Sequence, residues 1–252
     1  MMEKQQLETM LFIEKFYYSN KSIKSHPERR IIADCLNKLT EDERISDDVF
    51  ALTMNIFDRF ISQTSLKIID ERYCKLIALS CYNLSKKLRT NILINNENEQ
   101  ISSIFSNENY SAEEIFNTEE IICSTLDWDL ANFVPHDYIK YFLSHDNQTQ
   151  IHIHVHILLS IAICELNTLT ILPSLLACAC IKAAIKGLSF KNIHYIDELI
   201  LNTLHYEEIE LIHTQYRIEQ LFQSCLQNIT PPPRRPCLAL IDTSPQQRTK
   251  VK

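Results

Sequence analysis

A chain of 252 residues with 45% apolar content can bury one large core or two cores of about 100–150 residues each, and two is the better expectation. Charged residues make up 23%, and 25 Lys+Arg against 32 Asp+Glu leave −7, which argues against nucleic acid or anionic lipid as partners and favours a protein or small ligand. A single glycine, where about 7% is usual, excludes Gly-rich phosphate loops, dinucleotide fingerprints and nucleophile elbows, and most common enzyme scaffolds with them.

In chain order, the opening "MMEKQQLETMLFIEKFYY" carries early acids and no uninterrupted apolar run, and no later segment approaches the ~20 apolar residues of a membrane span, so a soluble intracellular chain is expected. Residues 1–26 read as an N-terminal helical extension. After Pro27, helical spacing recurs in Ile31, Ile32, Cys35, Leu36 and Leu39, then in "DDVFALTMNIFDRFIS" (47–62), then in Tyr73, Leu76, Ile77, Ser80 and Leu84. The Asn-rich "NILINNENEQ" (91–100) reads as a surface connection, and Ile115, Phe116, Glu119, Ile122, Cys123 and Leu126 mark the next helix. Past Pro135 helices are expected at 137–144, 151–165, 174–186, 195–203 and 207–227, with Gly187 at a helix C-terminus. Five prolines crowd into 231–245, a tail with polyproline II character.

The expected fold is therefore all-α, with an N-terminal unit over 27–134, a C-terminal unit over 135–228 and a flexible Pro-rich tail over 229–252. One segment offers an alternative: "IHIHVHI" (151–157) alternates with period 2, and as a strand it would present His152, His154 and His156 on one face, a zinc-binding geometry. The nine cysteines fall at irregular spacing inside apolar patterns and read as reduced core thiols, Cys178-Ala-Cys180 being the one tight pair.

Charges interrupt two apolar stripes. Glu119 lies inside the stripe of 115, 116, 122, 123 and 126, and Asp58 flanks another, four residues after Met54 and three before Ile61. Burying an ion costs several kcal/mol, against a domain stability of about 5–15 kcal/mol, so each must be paired, pushed to an edge, or held for a partner. Arg59, Lys86 and Lys87 read as solvated helix faces.

The residues around these charges resemble cyclins, and D-type cyclins in particular. "DDVFALTMNIFDRFIS" is similar to the helix carrying the D-R-F/Y-L/I element, and "LSKKL" (84–88) to the A-S-K element. "LDWDLANFVPHDYIKYFLSH" (126–145) resembles the signature at the junction of the two cyclin folds, where Pro135-His136-Asp137 is the D-type run. "LPSLLACACIKAAIKGL" and a closing helix ending "SCLQ" extend the resemblance over 27–228.

The resemblance implies two tandem five-helix cyclin boxes, no catalytic residue, and no metal or cofactor. It implies that Asp58 forms a buried bridge to Arg29, and that Lys86 and Glu119 dock a cyclin-dependent kinase of the four/six type. It further implies partners among kinase-inhibitor proteins and retinoblastoma-type substrates, a role in G1/S progression, and residence in nucleus and cytoplasm. The substrate-docking patch of the first helix maps to Glu28, Arg29, Ile31, Ile32 and Cys35, and is degenerate because Glu28 and Cys35 replace Met and Trp. An L-x-C-x-E motif is absent from the quoted N-terminus, the stretch between the lysine and glutamate elements is longer than usual, and Arg89 stands where an acid is common. These departures suit a divergent invertebrate or virus-encoded member. In the tail, Thr230-Pro231 and Ser244-Pro245 are minimal sites for proline-directed phosphorylation. The alternative function is a cyclin-fold adaptor or transcriptional regulator that binds a protein without activating a kinase.

Overall fold

The computed structural model describes residues 2–18, 27–64, 70–90, 110–143, 149–165, 170–189, 194–204 and 208–228. Among these residues there are ten helices and no strand: α1 (Met2–Tyr18), α2 (Arg29–Asp42), α3 (Asp47–Gln63), α4 (Glu71–Arg89), α5 (Ala112–Thr125), α6 (Pro135–Phe142), α7 (Thr149–Cys164), α8 (Pro173–Gly187), α9 (His194–Thr203) and α10 (Glu208–Asn228). The 91–100 connection and the tail with Thr230 and Ser244 lie outside the described residues.

Helix starts follow local chemistry. Asp70 accepts from Tyr73 N at 2.6 Å to open α4, and Ser111 with Glu114 forms a reciprocal capping box at the start of α5. Pro135 and Pro173 occupy the first turns of α6 and α8, where a missing N–H costs nothing.

Two cores result. The first joins α2–α5 around Leu36, Phe50, Phe57, Ile77, Tyr82 and Ile122, with α3 packed on α4 and α4 on α5. The second joins α6–α10 around α8, whose Leu175, Ala177, Cys178, Cys180 and Ile181 are all buried. Burial pushes the Cys178 and Cys180 thiols up, so both stay protonated core groups.

The structure adds detail to three expectations. The expected N-terminal extension is helical over α1 and docks: Leu7, Met10 and Leu11 are buried in the second core, a burial worth about 1.5–3 kcal/mol per side chain. The period-2 stretch 151–157 is helical, because Ile151, Val155, Leu158, Leu159 and Ala162 bury one face of α7 at spacings of three and four. His152 and His156 therefore share a face, while His154 is exposed and bonds Gln150 O at 2.8 Å. Gly187 is the last helical residue of α8 and carries no positive φ; Ser189, at φ 55°, takes the left-handed position that ends this helix.

Candidate functional site

Arg29 begins α2 and points inward. Its Nε donates to Asp58 Oδ1 at 2.7 Å and its Nη2 to Oδ2 at 2.8 Å. The remaining reach of the guanidinium goes across the molecule, to the carbonyls of Ile163 and Cys164 at 3.1 Å each. Those carbonyls are at the C-terminal end of α7, where helix carbonyls lack internal partners and a cation is favoured. Burial raises the Asp58 carboxyl pKa while Arg29 pulls it down. The bridge thus ties α2 to α3 and both to the end of α7.

Of the residues mapped to the substrate-docking patch, Arg29 and Ile32 are inside the protein, 1% and 2% exposed, and cannot contribute to a surface. Ile31 is exposed at 58%, whereas Glu28 and Cys35 are half-buried. Inward and outward positions follow one another within this stretch as the helix winds, and Ile31 is its exposed apolar residue.

Lys86 sits in the last turn of α4, and Glu119 in the middle of α5, two helices that pack together. They do not pair with each other. Lys86 Nζ donates to Glu43 Oε2 at 2.6 Å and lies over the Tyr82 ring, and the Tyr82 hydroxyl donates to the same Glu43 oxygen at 3.0 Å. Glu119, 6% exposed, accepts from Lys87, whose side chain is largely in solvent. Phe116, one turn before Glu119, and Leu88, two residues after Lys86, are exposed at 64% and 46%.

Periodicity misses several charges. Arg59 is not on a solvated face: it is 8% exposed, one Nη donates to Asp129 Oδ2 at 3.0 Å, and its Nε and other Nη are buried without a hydrogen bond. Arg89 donates to both oxygens of Asp137 at 2.7 and 2.9 Å and to Asn132 O at 3.2 Å, joining the end of α4 to the start of α6. Asp137 also accepts from Val134 N at 2.8 Å, the capping position that a carboxylate three residues into a helix start signals in sequence. Glu43 and Glu14 carry no such sequence signal, because their partners are far away in the chain.

Family models for the cyclin N-terminal domain and the cyclin C-terminal domain match residues 1–131 and 133–234. The chain belongs to the cyclin family. Its curated relatives include G1/S-specific cyclin-D1 of Xenopus laevis, 26% identical over 209 residues that span 79% of this chain and 70% of the relative. The Homo sapiens G1/S-specific cyclin-D1 is 25% identical over 218 residues, 81% of this cyclin and 72% of the relative. Among solved structures, a viral cyclin from herpesvirus saimiri superposes with a TM-score of 0.71 at 16% identity, over 87% of this chain and 96% of the other. A chain of the CAK complex of Chaetomium thermophilum bound to ATP-gamma-S superposes with a TM-score of 0.51 at 16% identity, over 87% and 74%. The fold is two tandem cyclin domains, and a cyclin is a regulatory subunit with no chemistry of its own. Its sequence similarity is to D-type members.

Proposed function

We propose that this cyclin binds and activates a cyclin-dependent kinase of the four/six type and so promotes passage from G1 to S. The observation that carries this is the similarity to G1/S-specific cyclin-D1 across about four-fifths of the chain. The face formed by the end of α4 and the outer side of α5 supports it. There Lys86 retains further N–H donors for a kinase carbonyl, Glu119 offers its carboxylate, and Phe116, one turn before it, supplies apolar area. A cyclin that fits only the active arrangement of the kinase shifts the population toward it, seating the αC glutamate against the β3 lysine that orients ATP phosphates. The relevant substrates are retinoblastoma-type proteins, taken up without strong Arg-x-Leu docking because Arg29 and Ile32 are buried. Kinase-inhibitor proteins, residence in nucleus and cytoplasm, and phosphorylation of Thr230 and Ser244 belong to the same reading.

The test is co-purification with a four/six-type kinase followed by an activity measurement on a retinoblastoma-type substrate. Complex formation with gain of activity is expected. No complex overturns the proposal, and a complex without activity favours the adaptor. Lys86→Glu and Glu119→Ala should each weaken the complex by about 2 kcal/mol or more, measured by calorimetry on variants whose melting temperature is first checked.

A further inference from the structure

The junction between the two cores holds a side-chain set that kinase binding does not use. Asp47, the first residue of α3, His136, the second of α6, and His156, midway along α7, each place one ligand-capable atom within 4.8 Å of the other two. His156 Nδ1 lies 2.8 Å from Asp47 Oδ2, and the His136 and His156 rings stand 5.1 Å apart between centroids. Both ring nitrogens of His136 are buried and make no hydrogen bond. An imidazole carries one donor and one acceptor, and leaving both buried and unmatched is unfavourable in the absence of a further partner. Burial, followed by the neighbouring His156, holds the His136 pKa down to about 3, so its ring is neutral. The hydrogen bond from His156 holds the Asp47 carboxyl below the usual range, so it is ionised.

We propose that Asp47, His136 and His156 form a binding site for a divalent transition cation of the zinc type, which ties the two helical cores together. Two imidazoles and one carboxylate make a zinc donor set with a fourth position left open, whereas calcium and magnesium take oxygen sets. Donors around a tetrahedral zinc lie about 3.3 Å apart, as bonds of about 2.0–2.1 Å require. Asp47 and His156 stand closer than this, at 2.8 Å, and with side chains 37% and 36% exposed they have room to part around an ion. The ion takes the place of the hydrogen bond between them and gives the lone-pair nitrogen of His136 a partner. Asp47 with Asp48 in α3, and Asp137 in α6, offset the positive helix ends that meet there. The site borders a cleft of about 690 Å³ between α2 and α7, lined by Asp47 and His156 and also by His152 one turn away on the same face. The one thiol in that cleft, Cys164, is pushed up to about 12 by burial and remains protonated, so it does not compete.

The experiment uses the full chain, stripped with a chelator and titrated with Zn²⁺ and with Co²⁺. One equivalent should bind, Zn²⁺ should raise the melting temperature, and the Co²⁺ spectrum should show ligand-field bands without a thiolate charge-transfer band. His156→Gln and Asp47→Asn, at half-exposed positions and with their helicity checked by circular dichroism, should each weaken Zn²⁺ binding at least about tenfold and remove the thermal shift. His136→Gln should do the same, with its helicity checked by circular dichroism. Absence of saturable binding, binding unchanged in His156→Gln and Asp47→Asn, or a thiolate band with Co²⁺ overturns the proposal. None of these readouts involves a kinase, so the result is independent of the proposed function.

Discussion

Asp58 lies among buried apolar residues of α3, and Arg29 is the partner that makes its burial tolerable. Removing the carboxylate leaves a guanidinium 1% exposed with only two carbonyls to meet it. Asp58→Ala should therefore lower stability by about 3–5 kcal/mol in urea unfolding, the cost of stranding one member of a buried pair. Asp58→Asn, which still accepts from one guanidinium nitrogen, should lose less. The position of Asp58 beside an apolar stripe is legible in the sequence, but its partner is not. Arg29 is 29 residues away and in another helix, and only the family resemblance suggests the pair. Lys86 shows the converse: its place in the S-K element is legible, while Glu43, which neutralises it, is a helix-end residue with no pattern to mark it.

At the scale of the element, helix existence is readable wherever apolar residues recur with the 3.6-residue period, since one face must then be buried. That holds for α2–α5, α8 and α10. The period-2 look of 151–157 is a coincidence of His placement, and the apolar residues that continue to Cys164 decide for a helix. The role of α1 is not readable, because the surface it covers is more than 100 residues further on. Glu14, 2% exposed, accepts from the Ser174 backbone N at 2.9 Å and from its hydroxyl, so a carboxylate of α1 caps the start of α8. Ion-to-backbone capping of this kind also matches the positive end of the helix. Glu14→Ala should cost about 1–3 kcal/mol and make α1 the first segment released in limited proteolysis. Unchanged protection of α1 would mean that Leu7, Met10 and Leu11 hold it without the cap.

For the whole molecule, charged groups carry much of the junction between the cores. Arg29 reaches the α7 carbonyls, Arg30 pairs with Glu165, His156 with Asp47 and Arg89 with Asp137. Pairings of this kind follow from how two bodies meet, and no hydrophobic period encodes them, so the two-unit architecture is legible while its junction is not. Arg89→Ala removes the contact between α4 and α6 and leaves Asp137 with its cap alone. It should cost about 1–3 kcal/mol and broaden a single calorimetric transition toward two, since each core retains its own buried set. A transition of unchanged width would assign the coupling to the Arg29 contacts instead.

The docking of α1 onto the second core also sets an order of events on the ribosome. Leu7, Met10 and Leu11 are made well before Tyr138, Leu175 and Leu176, which share their core. At about 5–20 residues per second, the apolar face of α1 waits on the order of 10–30 s for its partner helices. During that interval the apolar face of α1 has no partner helix in its own chain to cover it.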